Sequence, residues 1–367
     1  MSDLDRLVEE ALREPLAAAH DHAQHGGRVV GYVGAEIPVE LIIAADAFPL
    51  RLPSFAGGSV AAADRFLEAS FMPEVRSVCE QYLRGAFEFM SAIILPRSDD
   101  SAQRLYYYLS DLRSRGLASG PEPLIFDLAK IPRDSSRAHS RASVTRLASQ
   151  IGAREGALPE AIAKRNRRRE LFAAAAASRL TGGTGCRGSI MDRIFRAADL
   201  CDADEFDAKL HSWLQGGRAA PTTQPRVLLA GSAPPDERLH LAVEAGGGNV
   251  VAELGDHVSR SVALPLITNT GSFVAIADHY QDSMLGPRAF VNRAAEISSL
   301  ARSGGVTGVV NWLLEEEDAL IWDLPAQTAA LAAAGIACLA LTRRRWDGGD
   351  GALEDVTRFT GSLGKSS

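Results

Sequence analysis

The chain has 367 residues, of which 46% are apolar and 23% are charged, and its formal net charge is −7. This mild acidity argues against a general nucleic-acid binder, which normally carries a basic surplus. No apolar run approaches the roughly 20 residues that span a bilayer, which excludes an integral membrane protein. The amino terminus lacks the basic and apolar regions of a signal peptide, and the 4 cysteines form no CxxC pair. These features predict a cytoplasmic α/β protein of about two domains.

The first 137 residues alternate between short apolar runs and helical patterns. A helix is predicted over 3–20 from the apolar face that Leu4, Leu7 and Val8 share, and another stretch of helix over 39–47 after Pro38. The remaining predicted elements are strands over 28–33, 91–96 and 123–127 and helices over 73–90 and 102–113. Strands that alternate with helices favour a parallel sheet covered on both faces.

The pattern changes over 138–222, which has few strand candidates and many helix formers, and we interpret it as a helical connector. Its basic run 164–169 is typical of a solvated helix face, or alternatively of a docking face for an acidic partner or a CoA phosphate. The β/α pattern returns over 223–367, with strands predicted over 226–231, 249–253, 305–310 and 335–341. The sequence therefore predicts two doubly wound, parallel-sheet lobes of Rossmann-like type, 1–137 and 223–367, joined by the connector.

Polar residues follow several of these strands, at the sheet edge where ligands bind in open α/β sheets. They are expected to meet at one cleft between the lobes. The candidates are Glu36 and Glu40 after the first strand, Asp99 and Asp100 after the second, Ser232 in the second lobe, His257 and Arg260 further on, and Glu317 in the acidic run 315–318.

Several segments, in this order, resemble the 2-hydroxyacyl-CoA dehydratase family, which includes benzoyl-CoA reductase subunits. The resemblance covers nearly the whole chain and depends on order and spacing, since each motif is weak alone. The segments are 30–41 with Ala44 and Ala45, 48–52, 72–77, 95–101 with 104–106, Asn166 in the connector, 226–232, 244–246, 308–310, 322–325 and 335–336.

The resemblance implies a heterodimer of two similar subunits that acts on an acyl-CoA or a similar thioester. In such complexes each subunit holds a [4Fe-4S] cluster through three cysteines, and an ATP-driven activator supplies an electron. The dehydratases then remove water from a 2-hydroxyacyl-CoA through a ketyl radical, which makes an otherwise weakly acidic proton removable.

The sequence departs from this pattern at the three cysteine positions, which fall on Met72, Asp99 and Glu317. Thiolates are the usual ligands of such clusters, so we expect this chain to hold no standard cluster. Three interpretations stay open. The chain is the cluster-free half of a heterodimer beside a cysteine-bearing partner; or it uses carboxylates for acid–base chemistry or a hard cation; or it is a non-catalytic stabilising or regulatory subunit.

The resemblance, together with the rule that ligands bind at the carboxyl ends of strands (the strand-end rule), gives a set of hypotheses for the site. Glu36 and His257 are the predicted proton handlers, with Glu40 and Asp100 as further catalytic candidates. The predicted substrate-orienting groups are Arg51, Ser232 and Arg260, while Met72, Asp99 and Glu317 occupy the family's ligand positions.

Overall fold

The structure is a computed structural model and describes residues 2–182, 185–216, 223–255, 267–268, 271–283 and 291–364. Within these ranges, no helix combines the length and the apolarity that crossing a membrane requires.

The first half of the chain forms a four-stranded, all-parallel sheet in the order β2-β1-β3-β4. Helices cover both of its faces. The strands are β1 (Arg28–Tyr32), β2 (Ala47–Arg51), β3 (Ala92–Pro96) and β4 (Glu122–Phe126), and the helices are α1 (Asp3–Arg13), α2 (Ala17–Gln24), α3 (Val39–Ala44), α4 (Pro73–Leu83) and α5 (Asp100–Ser114).

Two local predictions are corrected here. The helix predicted over 3–20 is two helices, because the first ends at a cap on Glu14, just before Pro15. The helix predicted over 39–47 ends at Ala44, since Asp46 adopts a positive φ of 55°, and Ala47 already begins the edge strand β2. The sequence pattern did not reveal this strand, which contains Pro49.

The middle of the chain is helical, as predicted. Its helices are α6 (Asp134–Ile151), α7 (Leu158–Thr181), α8 (Gly188–Ala197) and α9 (Ala203–Gln215). The apolar faces of α7, α8 and α9 form a core of their own, to which α1 contributes Leu4 and Val8.

The second sheet repeats the arrangement of the first, with four parallel strands in the order β6-β5-β7-β8. Apolar clusters lie on both of its faces. Its elements are β5 (Arg226–Gly231), α10 (Arg238–Ala245), β6 (Asn249–Gly255), α11 (Phe273–Asp282), α12 (Arg293–Ser303), β7 (Gly308–Leu314), a 3-10 helix (Leu320–Asp323), α13 (Leu324–Ala333), β8 (Ala337–Arg344) and α14 (Ala352–Leu363). The prediction of two doubly wound, parallel-sheet lobes is confirmed.

One helix crosses between the lobes. α11 follows β6 of the second sheet along the chain, yet Ile276, Ala277 and Tyr280 belong to the core on the first sheet. Ile267, just before it, exchanges two hydrogen bonds with the Asn166 side chain of α7, at 2.9 and 3.1 Å. The second half of the chain therefore completes the core of the first.

Candidate functional site

A cleft of about 460 Å³ lies between the two lobes, at the carboxyl ends of β1, β3, β5 and β7. In the first sheet β2 lies on one side of β1 and β3 lies on the other, so the strand order reverses between β1 and β3. The second sheet reverses in the same way between β5 and β7. Ligands of open α/β sheets bind at such switch points. Here the switch points of two sheets contribute to the same cleft.

The cleft contains six of the ten side chains predicted from the sequence. Glu36, Met72, Asp99, Asp100, Ser232 and Glu317 all line it. Glu40 and Arg51 do not, for reasons given below. His257 and Arg260 lie outside the described residues.

Glu36 is the most deeply buried carboxylate of the cleft, at 4% exposure. It follows β1, accepts a hydrogen bond from the Ser98 hydroxyl on Oε2, and lies 3.4 Å from the Lys130 ammonium through Oε1. The Lys130 ammonium also donates to the backbone carbonyls of Tyr280 and Ser283, at 2.8 and 3.2 Å. Glu36 is therefore held by two residues of the first lobe, and the crossing segment fixes one of them, Lys130, in place.

Asp99 and Asp100 begin helix α5, and they have different environments. Asp99 is the N-cap, and its Oδ1 accepts a hydrogen bond of 2.6 Å from the Ala102 N–H. Such caps satisfy backbone donors that a helix leaves unpaired. Asp100 is more exposed and lies 4.0 Å from Arg104. The buried Ser101 hydroxyl accepts a 3.0 Å bond from the N–H of Met72, which links the starts of α4 and α5.

Ser232 and Glu317 bring the second lobe to the cleft. The Ser232 hydroxyl accepts a 3.2 Å hydrogen bond from the Leu314 N–H, so it braces β5 against the end of β7. Glu317 Oε1 accepts hydrogen bonds of 2.9 Å from the N–H groups of Ala319 and Leu320, at the start of the 3-10 helix. One oxygen of Asp99 and one of Glu317 are thus committed to capping.

The described part of the cleft lining is strongly acidic. Among the described residues it holds seven carboxylates and one cation, Arg104. Arg104 packs on the Phe71 ring at 3.9 Å and pairs with Glu68 at 2.9 Å. The seven are Glu36, Glu74, Asp99, Asp100, Glu316, Glu317 and Asp318. Partial burial, and then the negative charge of Glu315, raise the pKa of Glu316.

Glu40 was predicted to face the cleft, but the structure places it in a buried ion pair. It has 0% exposure on α3, it binds the Arg169 guanidinium, and it accepts a 2.9 Å hydrogen bond from the Tyr280 hydroxyl. Burial alone would raise the pKa of Glu40, but the positive charges of Arg169 and Arg165 outweigh it and lower that pKa. Glu40 lies on helix α3, four positions after Glu36, and its side chain does not reach the cleft. It instead joins α3 to α7 and α11.

Arg51 was predicted to orient a substrate in the same cleft, and this placement is also corrected. It ends β2, which is the edge strand and not one of the two strands at the switch point. Its side chain lines a separate pocket beside α4.

The sequence reasoning missed Ser98, Lys130 and Trp346. Ser98 lies between the end of β3 and the predicted Asp99, so the rule that ligands bind at strand ends already pointed to its position. Lys130 follows β4 by four residues, and the same rule applied to that strand would have included it. Trp346, whose Nε1 donates to the Ala233 carbonyl at 3.1 Å, follows β8 and was not singled out by any pattern.

The donor set of the cleft does not fit an iron–sulfur cluster. Such clusters are held by thiolates, whereas a thioether and two carboxylates stand at the three ligand positions that the resemblance predicts, Met72, Asp99 and Glu317. Cys79, Cys186 and Cys201 are buried in apolar cores, and Cys338 packs beside another. Burial raises the pKa of the Cys79 and Cys201 thiols to about 12 in each case, which disfavours the thiolate form that binds metals. The four cysteines therefore lie elsewhere, as small apolar side chains.

Within the described ranges, one group of three side chains has the spacing of metal ligands, and it lies outside the cleft. Asp192, His240 and Glu253 bring their ligand atoms within 4.8 Å of one another. Arg196 and Arg179 already bind the two carboxylates, each at 2.7 Å. A divalent cation there would be repelled by two buried guanidinium groups, so we interpret the group as a charge network that joins α7 and α8 to the second lobe.

The fold and the cleft together define a two-lobed α/β protein with a cleft where the switch points of two sheets meet. The sequence model of one family, 2-hydroxyglutaryl-CoA dehydratase D-component, matches residues 35–356. The chain therefore belongs to this family, and the resemblance inferred from its segments is confirmed. A search of curated proteins gave no match.

Proposed function

We propose that this chain is a cluster-free component of a 2-hydroxyacyl-CoA dehydratase-type complex, and that it shapes a thioester pocket at the cleft between the lobes. The observation that carries this proposal is the convergence of Met72, Asp99 and Glu317 on one cleft that no cysteine lines among the described residues. Family membership supports the class of reaction. The absence of thiolates among Met72, Asp99 and Glu317 supports a subunit that differs from one that binds a cluster.

The charge of the cleft limits how a thioester would lie in it. Among the described residues of the lining, seven carboxylates against one arginine would repel the phosphates of a CoA nucleotide. In this proposal the acyl end and the uncharged pantetheine arm enter the cleft, and the nucleotide stays outside. Glu36 is the candidate proton handler, since it is buried, lines the cleft and is hydrogen-bonded by Ser98.

The two capping carboxylates favour this proposal over a divalent-cation site at the same positions. Asp99 and Glu317 each use one oxygen to accept backbone hydrogen bonds. Among the described residues, the cleft also lacks any three-ligand group with the spacing of a metal centre. Catalysis by carboxylates alone, and a purely stabilising role, are the alternatives that the experiments below separate.

The first experiment measures iron and acid-labile sulfide in the anaerobically purified protein, before and after reconstitution with both. We expect neither element in stoichiometric amount. A matched variant that carries Met72→Cys, Asp99→Cys and Glu317→Cys is expected to take up both, because it restores the thiolates at the three positions. About four irons per wild-type chain would contradict the cluster-free proposal, and a triple variant without iron would contradict the assignment of the positions.

The second experiment tests the role in a complex. The chain is co-expressed with the homologous cysteine-bearing subunit of the same source and assayed for dehydration with an electron donor and activator. Asp99→Ala and Glu317→Ala are expected to lower turnover without unfolding the chain. Unchanged turnover would exclude roles for these two residues, and full activity of the partner alone would favour the stabilising role.

A further inference from the structure

A second pocket, of about 310 Å³, lies beside the cleft and shares only Glu74 with its lining. Its walls come from α1, from the segment after β2, from the turn between α8 and α9, and from the second lobe at 235–237. Most of the lining is apolar, including Leu12, Leu52, Phe55 and Leu200. Ligand pockets of about 300 Å³ or more with few polar groups are typical of small-molecule sites.

The polar group that distinguishes this pocket is Arg51. Its Nε is buried, and it has no hydrogen-bond partner among the described residues. A buried cation normally has a carboxylate or several acceptors to offset its loss of hydration. Arg51 therefore keeps an unfilled capacity to donate hydrogen bonds, next to an apolar cavity.

The Asp199 carboxylate feels the charge of Arg51 but already pairs with two other arginines. The positive charges of Arg165, Arg51 and Arg168 outweigh burial and lower the pKa of Asp199. Arg165 and Arg168 approach the Asp199 carboxylate at 3.7 and 3.8 Å. Arg51 touches the same residue through its backbone, whose N–H donates to the Asp199 carbonyl at 3.3 Å.

The surrounding buried charge network holds one more cation than anion within the described residues. Each of the other three arginines in it has a carboxylate partner: Arg165 pairs with Asp199, Arg168 with Asp199 and Asp207, and Arg169 with Glu40. The network thus contains four arginines and three carboxylates. Arg51, which lines the pocket, is the arginine of this network without a directly paired carboxylate.

The other charged side chains that line the pocket have partners of their own, and Glu74 is one of them. Arg196 donates to Asp192 and to the carbonyls of Pro234 and Pro235. Asp236 is bound by Arg238 at 2.6 Å, and Glu237 lies 4.0 Å from Arg193. These pairs leave Arg51 as the group with which an incoming anion would pair.

We propose that this pocket binds a small organic anion, a carboxylate carried on a short apolar body, with the Arg51 guanidinium as its counter-ion. The carboxylate would supply the missing negative charge of the network, and the apolar body would cover Leu52, Phe55 and Leu200. The site is distinct from the cleft, and the inference does not depend on the proposed thioester function.

The test measures binding of hexanoate and of its neutral analogue hexanamide by titration calorimetry and by ligand-observed NMR. Hexanoate is expected to bind at least about tenfold more tightly, as a charge-assisted pair requires. Arg51→Gln is expected to remove this preference, while Arg51→Lys keeps part of it. The matched control is Arg104→Gln, which neutralises the arginine of the neighbouring cleft and is expected to leave hexanoate affinity unchanged.

Equal affinities for hexanoate and hexanamide in the wild-type protein would overturn the proposal, as would an absence of saturable hexanoate binding. Loss of binding in Arg104→Gln with retention in Arg51→Gln would place the anion in the cleft and would also overturn it. Circular dichroism spectra of the variants control for folding, and the wild-type comparison of the two ligands stands even if Arg51→Gln fails to fold.

Discussion

Replacing Glu40 by leucine tests whether the buried ion pair between α3 and α7 stabilises the fold. Glu40 has 0% exposure and the Arg169 side chain 3%, so the change leaves a buried guanidinium without its carboxylate and the Tyr280 hydroxyl without its acceptor. Removing one partner of a buried pair costs about 3–5 kcal/mol. We expect Glu40→Leu to lower the free energy of unfolding by this amount.

The measurement is equilibrium denaturation in urea, compared with the double variant Glu40→Leu/Arg169→Met. An apolar pair of similar volume is expected to recover most of the loss, because neither charge is then buried alone. The matched control is Asp278→Asn, which breaks a more exposed pair of 2.8 Å between α11 and Arg141 on α6. That control should change stability far less. A single-variant loss no larger than the control's would refute the reasoning.

Three further outcomes are expected. Asp99→Ala removes the N-cap of α5 and should lower the free energy of unfolding by about 1 kcal/mol in urea denaturation, whereas Asp99→Ser should restore most of it. Gly231→Ala should destabilise by at least about 2 kcal/mol, measured in the same way, since φ is +99° there and a Cβ would lie 2.4 Å from the Trp312 carbonyl oxygen. Burial alone would lower the pKa of His240, but the negative charges of Asp192 and Glu253 outweigh it and raise that pKa. The stability that the protonated imidazole contributes is present at acid pH and is lost as the pH rises through the folded-state pKa of His240. His240→Gln should therefore flatten the fall in melting temperature that the wild-type protein shows from pH 6 to 9. An unchanged slope in the variant would contradict this assignment.

Much of the fold follows from local pattern. Short apolar runs that end in polar turns predicted seven of the eight strands seen in the described residues, and the strand-end rule brought Glu36, Asp99 and Ser232 to one cleft. The edge strand β2 was missed because it directly follows a helical pattern and contains a proline, which central strands avoid.

The contacts between distant segments were beyond this reasoning. Glu40 looks like a strand-end carboxylate, and only the docking of Tyr280, 240 residues later, identifies it as part of a buried pair. Arg51 also ends a strand, but the cavity that it lines is formed by the packing of α1 and the second lobe around α4. Partners of this kind are set by tertiary structure and leave no periodic trace in the sequence.

The crossing helix α11 also sets an order of events during synthesis. A ribosome releases the first sheet and its covering helices α3 and α6 well before residues 273–282, whose apolar side chains complete that core. Until then, the surface that will bury Tyr280 faces solvent, and Glu40 lacks one of its two partners. The amino-terminal lobe therefore completes its core only after the carboxyl-terminal half of the chain has been synthesised. An isolated fragment that ends before α11 should expose an apolar face and aggregate.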